Sequence, residues 1–158
     1  MPTIDLVTEI RAPISRVFDL ARCVDLHVES TSATREQAVA GVVTGLIGLG
    51  QDVTWRARHF GVWQELTGRI TAYERPYQFR DSMVRGAFRR LDHDHLFEED
   101  DGITSMRDRF DFESPLGIFG IVADQLFLRR YLEGFLIHRN QLIKAVAESE
   151  RWQKFLSA

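Results

Sequence analysis

Residues Thr3 to Ile10 alternate in character, with Ile4, Leu6, Thr8 and Ile10 on one side and Asp5 and Glu9 on the other. That period of two predicts a half-buried strand. Pro13 suits the first turn of a helix, for which Val17, Phe18, Leu20 and Ala21 supply an apolar stripe. A second short helix is predicted over Asp25 to Ser30. Six extended segments follow, at about Glu36 to Ala40, Asp52 to Phe60, Val62 to Tyr73, Gln78 to Arg85, Phe88 to Glu98 and Ile103 to Glu113. Turn signals at Gly61, Arg75-Pro76, Gly86 and Asp100-Asp101-Gly102 part most of them, as a meander of hairpins requires. The exception is Gly41 to Gly50, GVVTGLIGLG, which is apolar but carries four glycines and no clean period.

After Pro115 the period changes. Ile118, Ile121, Val122, Gln125, Leu126, Arg129, Leu132, Phe135, Leu136, Arg139, Leu142, Ile143 and Val146 recur at threes and fours up to about Ser149. This predicts a helix of roughly eight turns, long enough to span a small domain. The order is strand, two helices, six strands and long helix. It predicts an α+β fold in which a curved, seven-stranded antiparallel sheet wraps a long C-terminal helix.

Four stretches carry a family likeness: RAPISRVFDLARCVDLH, VTWRARHFGVWQELTGRI, FRDSMVRGAFRRLDHDHLFEE and TSMRDRFDFESPLG. With the element order, they resemble the helix-grip (SRPBCC) superfamily of START lipid-transfer domains, birch-pollen-allergen-like proteins and bacterial polyketide cyclases and dehydratases. The likeness spans nearly the whole chain and is strongest to a bacterial ligand-binding branch. It implies a cavity between sheet and C-terminal helix that holds a hydrophobic or amphipathic small molecule, such as a lipid, isoprenoid or polyketide. The superfamily has no shared catalytic signature, so a cyclase or dehydratase using histidine and aspartate acid–base chemistry stands as the alternative.

Composition narrows the classes. At 158 residues, 44% apolar and 27% charged, the chain has enough sequence for one core and too little for two, so residues 1–158 are expected to form one domain. A net charge of -3, from interspersed acids and bases, offers no basic face for nucleic acid. A single cysteine, Cys23, excludes an internal disulfide and is read as a small buried thiol. Residues Met1 to Ile10 lack the layout of a signal peptide, and no run of apolar residues is long enough for stable membrane insertion. A cytoplasmic protein is expected.

Residues two apart on a strand share a face, which sorts the side chains. Taking apolar faces as inward places Trp55, Ala57 and His59 together, and likewise Phe79, Asp81, Met83 and Arg85. It also turns inward His93, His95 and Phe97, then Thr104, Met106, Asp108, Phe110 and Phe112. Inward charges need partners or a wet cavity. Asp81, Arg85, His93, His95 and Asp108 therefore form either the polar floor of an apolar pocket or a buried ion-pair network, and a one-residue bulge would turn any of them out. Leu126, Arg129 and Leu132 are expected to roof that pocket. His59, His93 and His95 are candidate general bases, with Asp81 or Asp108 as partner.

His93-Asp94-His95 puts two imidazoles on one face with Cα atoms roughly 6.6 Å apart. No third ligand is identified by spacing, so neither metal nor cofactor is expected. Val43, Leu46, Ile47 and Leu49, set among glycines, are the expected lid, with a fixed loop packed on the core as the other reading. Five bulky side chains, Phe79, Phe97, Met106, Phe110 and Phe112, have the volume to fill the cavity instead. Trp152 and Phe155 either fold back on the domain or meet a second copy in a homodimer.

Overall fold

Each period-two segment is a strand in the computed structural model, which describes residues 3–114 and 127–157. In chain order the elements are β1 (Thr3–Ile10), α1 (Ile14–Ala21), α2 (Val24–Ser30), a 3-10 turn at Ser32–Thr34, β2 (Gln37–Gly41) and β3 (Asp52–His59). There follow β4 (Val62–Glu74), β5 (Gln78–Arg85), β6 (Arg90–Asp100), β7 (Ile103–Glu113), α3 (Arg129–Ala147) and α4 (Trp152–Leu156). The onset expected for the long helix, Ile118 to Leu126, lies outside the described residues. Among the described residues no helix is long and apolar enough to cross a membrane.

The seven strands form one antiparallel sheet in the order β1-β7-β6-β5-β4-β3-β2. Strands β2 to β7 are a meander, and the α1–α2 segment carries the chain from β1 at one edge to β2 at the other. Two hairpins turn on two residues with positive φ, Phe60-Gly61 between the His59–Val62 pair and Asp101-Gly102 between Asp100 and Ile103. Such turns match the twist of the strands they join. Gly41, at φ +73°, ends β2 where any Cβ would meet the Asp52 carbonyl oxygen at 2.2 Å. The register slips at Val84, because Met83 lies opposite Gly68 while Arg85 lies opposite Thr67. Strand β6 starts two residues later than the pattern predicts, since Phe88 turns in against Phe112, 5.9 Å between ring centres.

The core has two parts. One gathers α1, α2 and the neighbouring sheet around Phe18, which is fully buried and meets Tyr73, Phe79 and Phe97 edge-on at 5.2 to 5.5 Å. The other joins Ile4, Leu91, Phe110, Phe112 and Leu136. Burying side chains of this size contributes roughly 1.5–3 kcal/mol each. Helix α3 packs on β1, α1 and α2, with Leu136, Ile143, Val146 and Ala147 turned inward. Beyond it, Trp152 and Phe155 fold back onto the core, and the Arg16 guanidinium covers the Trp152 ring at 4.3 Å.

Asp19 ties α1 to the β4–β5 turn: Arg75 donates to both of its oxygens at 3.1 and 2.6 Å, and Arg22 Nε donates at 2.9 Å. Burial opposes ionisation of Asp19, but these hydrogen bonds outweigh it and hold the carboxyl below its ordinary value. A depressed folded-state pKa contributes stability that is complete above the unfolded value and disappears as pH falls through the folded one. Asp19→Asn is thus expected to cost on the order of 1 kcal/mol at neutral pH. In thermal melts its deficit against the parent protein should shrink as pH drops below about 4. A deficit independent of pH would assign the loss to packing.

Candidate functional site

A cavity of about 480 Å³ lies between the sheet and α3. Its apolar walls come from both halves of the core: Val53, Ile70 and Phe79 from one side, Leu66, Leu91, Phe110, Leu132 and Leu136 from the other. Phe60 lines it and is 56% exposed, so the cavity reaches the surface beside the β3–β4 turn. Met106, Phe97 and Phe112, large enough to fill it, are packed into the core instead. The volume falls within the usual range for small-molecule sites.

The polar end of the cavity is built by strand register. Asp81 on β5 lies opposite His93 on β6, and His95 lies opposite Asp108 on β7. The hydrogen bonds then run diagonally, within the reach of neighbouring pairs on one face. His93 Nε2 is 2.8 Å from Asp108 Oδ1, and His95 Nε2 is 2.7 Å from Asp81 Oδ2. His95 Nδ1 sits 3.4 Å from Asp108 Oδ1. From α3, Asn140 donates to Asp108 Oδ2 at 2.7 Å, and Arg139 Nη1 lies 3.4 Å from Oδ1. Arg139 also donates to Asn140 Oδ1 at 2.9 Å and to the Ala21 carbonyl at 3.1 Å.

Asp108 has no exposed surface. Burial disfavours its charge, yet hydrogen bonds from the two histidines and the Arg139 charge hold the carboxyl well below the ordinary range. Burial and the nearby His95 push the His93 pKa down. For His95, burial also works against the charge, but hydrogen bonds to Asp108 and Asp81 outweigh it and raise the pKa. Asp81 is lowered in the same way, its desolvation overcome by the His95 hydrogen bond and the charges beside it. Two carboxylates, Asp81 and Asp108, thus flank the two imidazoles, with Arg139 beside Asp108. A third of the Asp81 side chain is accessible, and the residue lines the cavity.

Trp55, His59, Phe79, Asp81, His93, His95 and Phe110 all line the cavity, as does Ile47 from the glycine-rich segment. His59 stands apart from the polar cluster: its Nδ1 is 2.8 Å from the Tyr131 hydroxyl, and burial lowers its pKa. Asp108 lies behind the histidines rather than on the wall. The remaining expected wall residues are elsewhere. Arg85 is exposed beyond the Val84 slip, and Arg129 is exposed at the start of α3. Met83 packs with the second half of the core, while Phe97 and Met106 are fully inside the first. Leu126 lies outside the described residues.

The glycine-rich segment is strapped down. The Asp25 carboxylate accepts from the Thr44 hydroxyl and the Gly45 N–H, both at 2.9 Å. Ile47 N–H donates to the Arg22 carbonyl at 3.2 Å and the Arg22 guanidinium donates back to the Ile47 carbonyl at 3.1 Å. Ile47 is buried, Leu46 half-buried, and Val43 and Leu49 exposed. These contacts pack the segment against α2 and the α1–α2 turn, and Ile47 forms part of the cavity wall. Sequence reasoning also missed Arg139 and Asn140. Their signal was Arg139 itself, a charge set in the apolar stripe of a helix, which needs a buried partner across from it.

No family model and no curated protein matches the sequence. The open seven-stranded antiparallel sheet gripping a C-terminal helix is nevertheless the helix-grip fold, shared with solved structures of a ginseng major latex-like protein and an aromatase/cyclase. Solved structures of that fold align over nearly their full length. The Zhui aromatase/cyclase from Streptomyces sp. R1128 matches with a TM-score of 0.73 at 14% identity, covering 93% of either chain. The protein TTHA0849 from Thermus thermophilus matches at 0.70 and 18%, covering 92% of this chain and 99% of its own. Major latex-like protein 151 from Panax ginseng matches at 0.69 and 16%, covering 94% and 98%. At these identities the likeness is one of fold.

Removing Asp108 strands Arg139 as a buried unpaired charge. Asp108→Ala is expected to lower unfolding stability by about 3–5 kcal/mol in urea titrations. Replacing both groups, Asp108→Leu with Arg139→Met, should recover much of that loss. Additive losses in the double variant would show that the two charges do not act as a pair.

Proposed function

We propose that this chain binds and carries a hydrophobic or amphipathic small molecule of the lipid, isoprenoid or polyketide kind. Residues 1–158 act as one cytoplasmic ligand-binding unit. The observation that carries this reading is the cavity itself: about 480 Å³ with apolar walls and one cluster of polar groups at one end. An apolar body fits the walls, and an oxygen on it meets Asp81, His93 or His95. The structural likeness to a protein named an aromatase/cyclase agrees with a polycyclic or chain-like ligand.

A second reading, a cyclase or dehydratase, draws on the same geometry, because His93 and His95 face the cavity beside a carboxylate that reaches it. Loss of turnover of a bound ketone in His93→Ala and His95→Ala, with binding retained, separates chemistry from carriage.

The test of carriage is native mass spectrometry of gently purified protein, then extraction and identification of whatever is bound. A copurified apolar molecule, or micromolar binding of oleate, farnesol or an anthraquinone, is the expected result. An empty protein that binds none of the three overturns the reading. Gly68 lines the cavity, and a Cβ added there meets nothing closer than the Ser82 carbonyl at 3.9 Å. Gly68→Leu therefore fills space without a backbone clash. It should leave the melting temperature within a few degrees and weaken probe binding by at least about tenfold, the change that 1.4 kcal/mol produces.

A further inference from the structure

We propose that Asp81, His93 and His95 form a site for one divalent transition-metal ion of the zinc or iron(II) type, open to the cavity. One ligand atom from each of the three residues lies within 4.8 Å of the other two. His93 Nδ1 is 3.9 Å and His95 Nε2 is 2.7 Å from Asp81 Oδ2. Two ligands at about 2.1 Å from a tetrahedral ion stand roughly 3.4 Å apart, between those two distances. An ion seated here takes the place of the hydrogen bond between His95 and Asp81.

Asp108 prepares the rings for this. Its Oδ1 lies 2.8 Å from His93 Nε2 and 3.4 Å from His95 Nδ1, so it takes one N–H from each imidazole. That leaves His93 Nδ1 and His95 Nε2 as the nitrogens aimed at Asp81. A carboxylate holding the far nitrogen of a metal-bound histidine fixes its tautomer and strengthens it as a ligand. Here one carboxylate serves both rings and is itself held by Asn140 and Arg139. Phe79 stacks on His95 at 4.0 Å between ring centres and 14° between planes, which fixes that ring further.

The site also has an entry. Asp81, His93 and His95 line the cavity, and a third of the Asp81 side chain is accessible. Three protein ligands with a vacant direction are the pattern of a metal that receives an exogenous oxygen, not of a closed structural site. The oxygen it takes is a carboxylate, enolate or β-dicarbonyl at the end of an apolar body. This last step rests on the ligand-binding reading above, whereas the metal site does not.

The test uses the whole chain stripped of metal with a chelator, desalted, and titrated with Zn²⁺ by calorimetry and with Co²⁺ by absorption, no organic ligand being added. One equivalent per chain is expected. Asp81→Asn and His93→Gln should each weaken binding by at least about tenfold. Should either variant fail to fold, anomalous diffraction from Co²⁺-soaked crystals of the unaltered protein locates the ion among the three residues. Absence of binding, affinity unchanged in Asp81→Asn, or an ion found only at His59 overturns the proposal. Apolar probe binding that persists without metal binding removes the metal site alone, and the converse removes the carrier reading alone.

Discussion

One ionised carboxylate without exposed surface, Asp108, constrains how everything around it packs. A charge in that position is tolerated only if donors reach it from every side, since each buried charge left alone costs several kcal/mol. The donors come from β6 as His93 and His95, and from α3 as Arg139 and Asn140. Because Arg139 and Asn140 are consecutive, both can face inward only at one rotation of α3 about its axis. Arg139 then reaches the Ala21 carbonyl at the end of α1, so a single anion locks sheet, long helix and first helix into one arrangement.

The same constraint keeps the cavity open. The two parts of the core lie on either side of it, and the space between would close if apolar side chains alone bounded it. Hydrogen-bonded groups at fixed spacing resist that collapse, because moving them together breaks bonds that no water replaces. His93 and His95 stand face to face at 3.7 Å between ring centres, with Phe79 stacked behind. Met106, Phe97 and Phe112 meanwhile find partners within the core, which leaves their volume out of the site.

The fold was legible because it rests on local period. Strands β1, β5 and β7 begin and end where alternation begins and ends, and turns fall on Gly61, Pro76 and Gly102. The inward side of Asp81, His93, His95 and Asp108 followed from parity alone. What parity could not show was where parity breaks. The Val84 slip exposes Arg85, and nothing in VRGAF marks it. Nor does spacing along one strand reveal cross-strand register. The third group beside the histidine pair, Asp81, is 12 residues from His93 in sequence and opposite it in space. The contacts of residues 41–50 with Asp25 and Arg22 run through backbone groups that leave no pattern in the sequence.

Two aspartates flank the same two imidazoles, and they are chemically identical but physically opposite. Asp108 is sealed behind the rings, with its donors supplied by protein on two sides; its acceptor capacity is spent on holding structure. Asp81 meets His95 through one oxygen and keeps a third of its side chain accessible. Both strands reach the cavity, but Asp108 on β7 is covered by Arg139 and Asn140 of α3, while Asp81 on β5 lines the cavity. Asp108 is held by groups of both β6 and α3, whereas Asp81 has His95 on one oxygen and the cavity beside it. The histidines between them transmit one to the other, since the ring nitrogen held by Asp108 determines which nitrogen is turned toward Asp81 and the cavity.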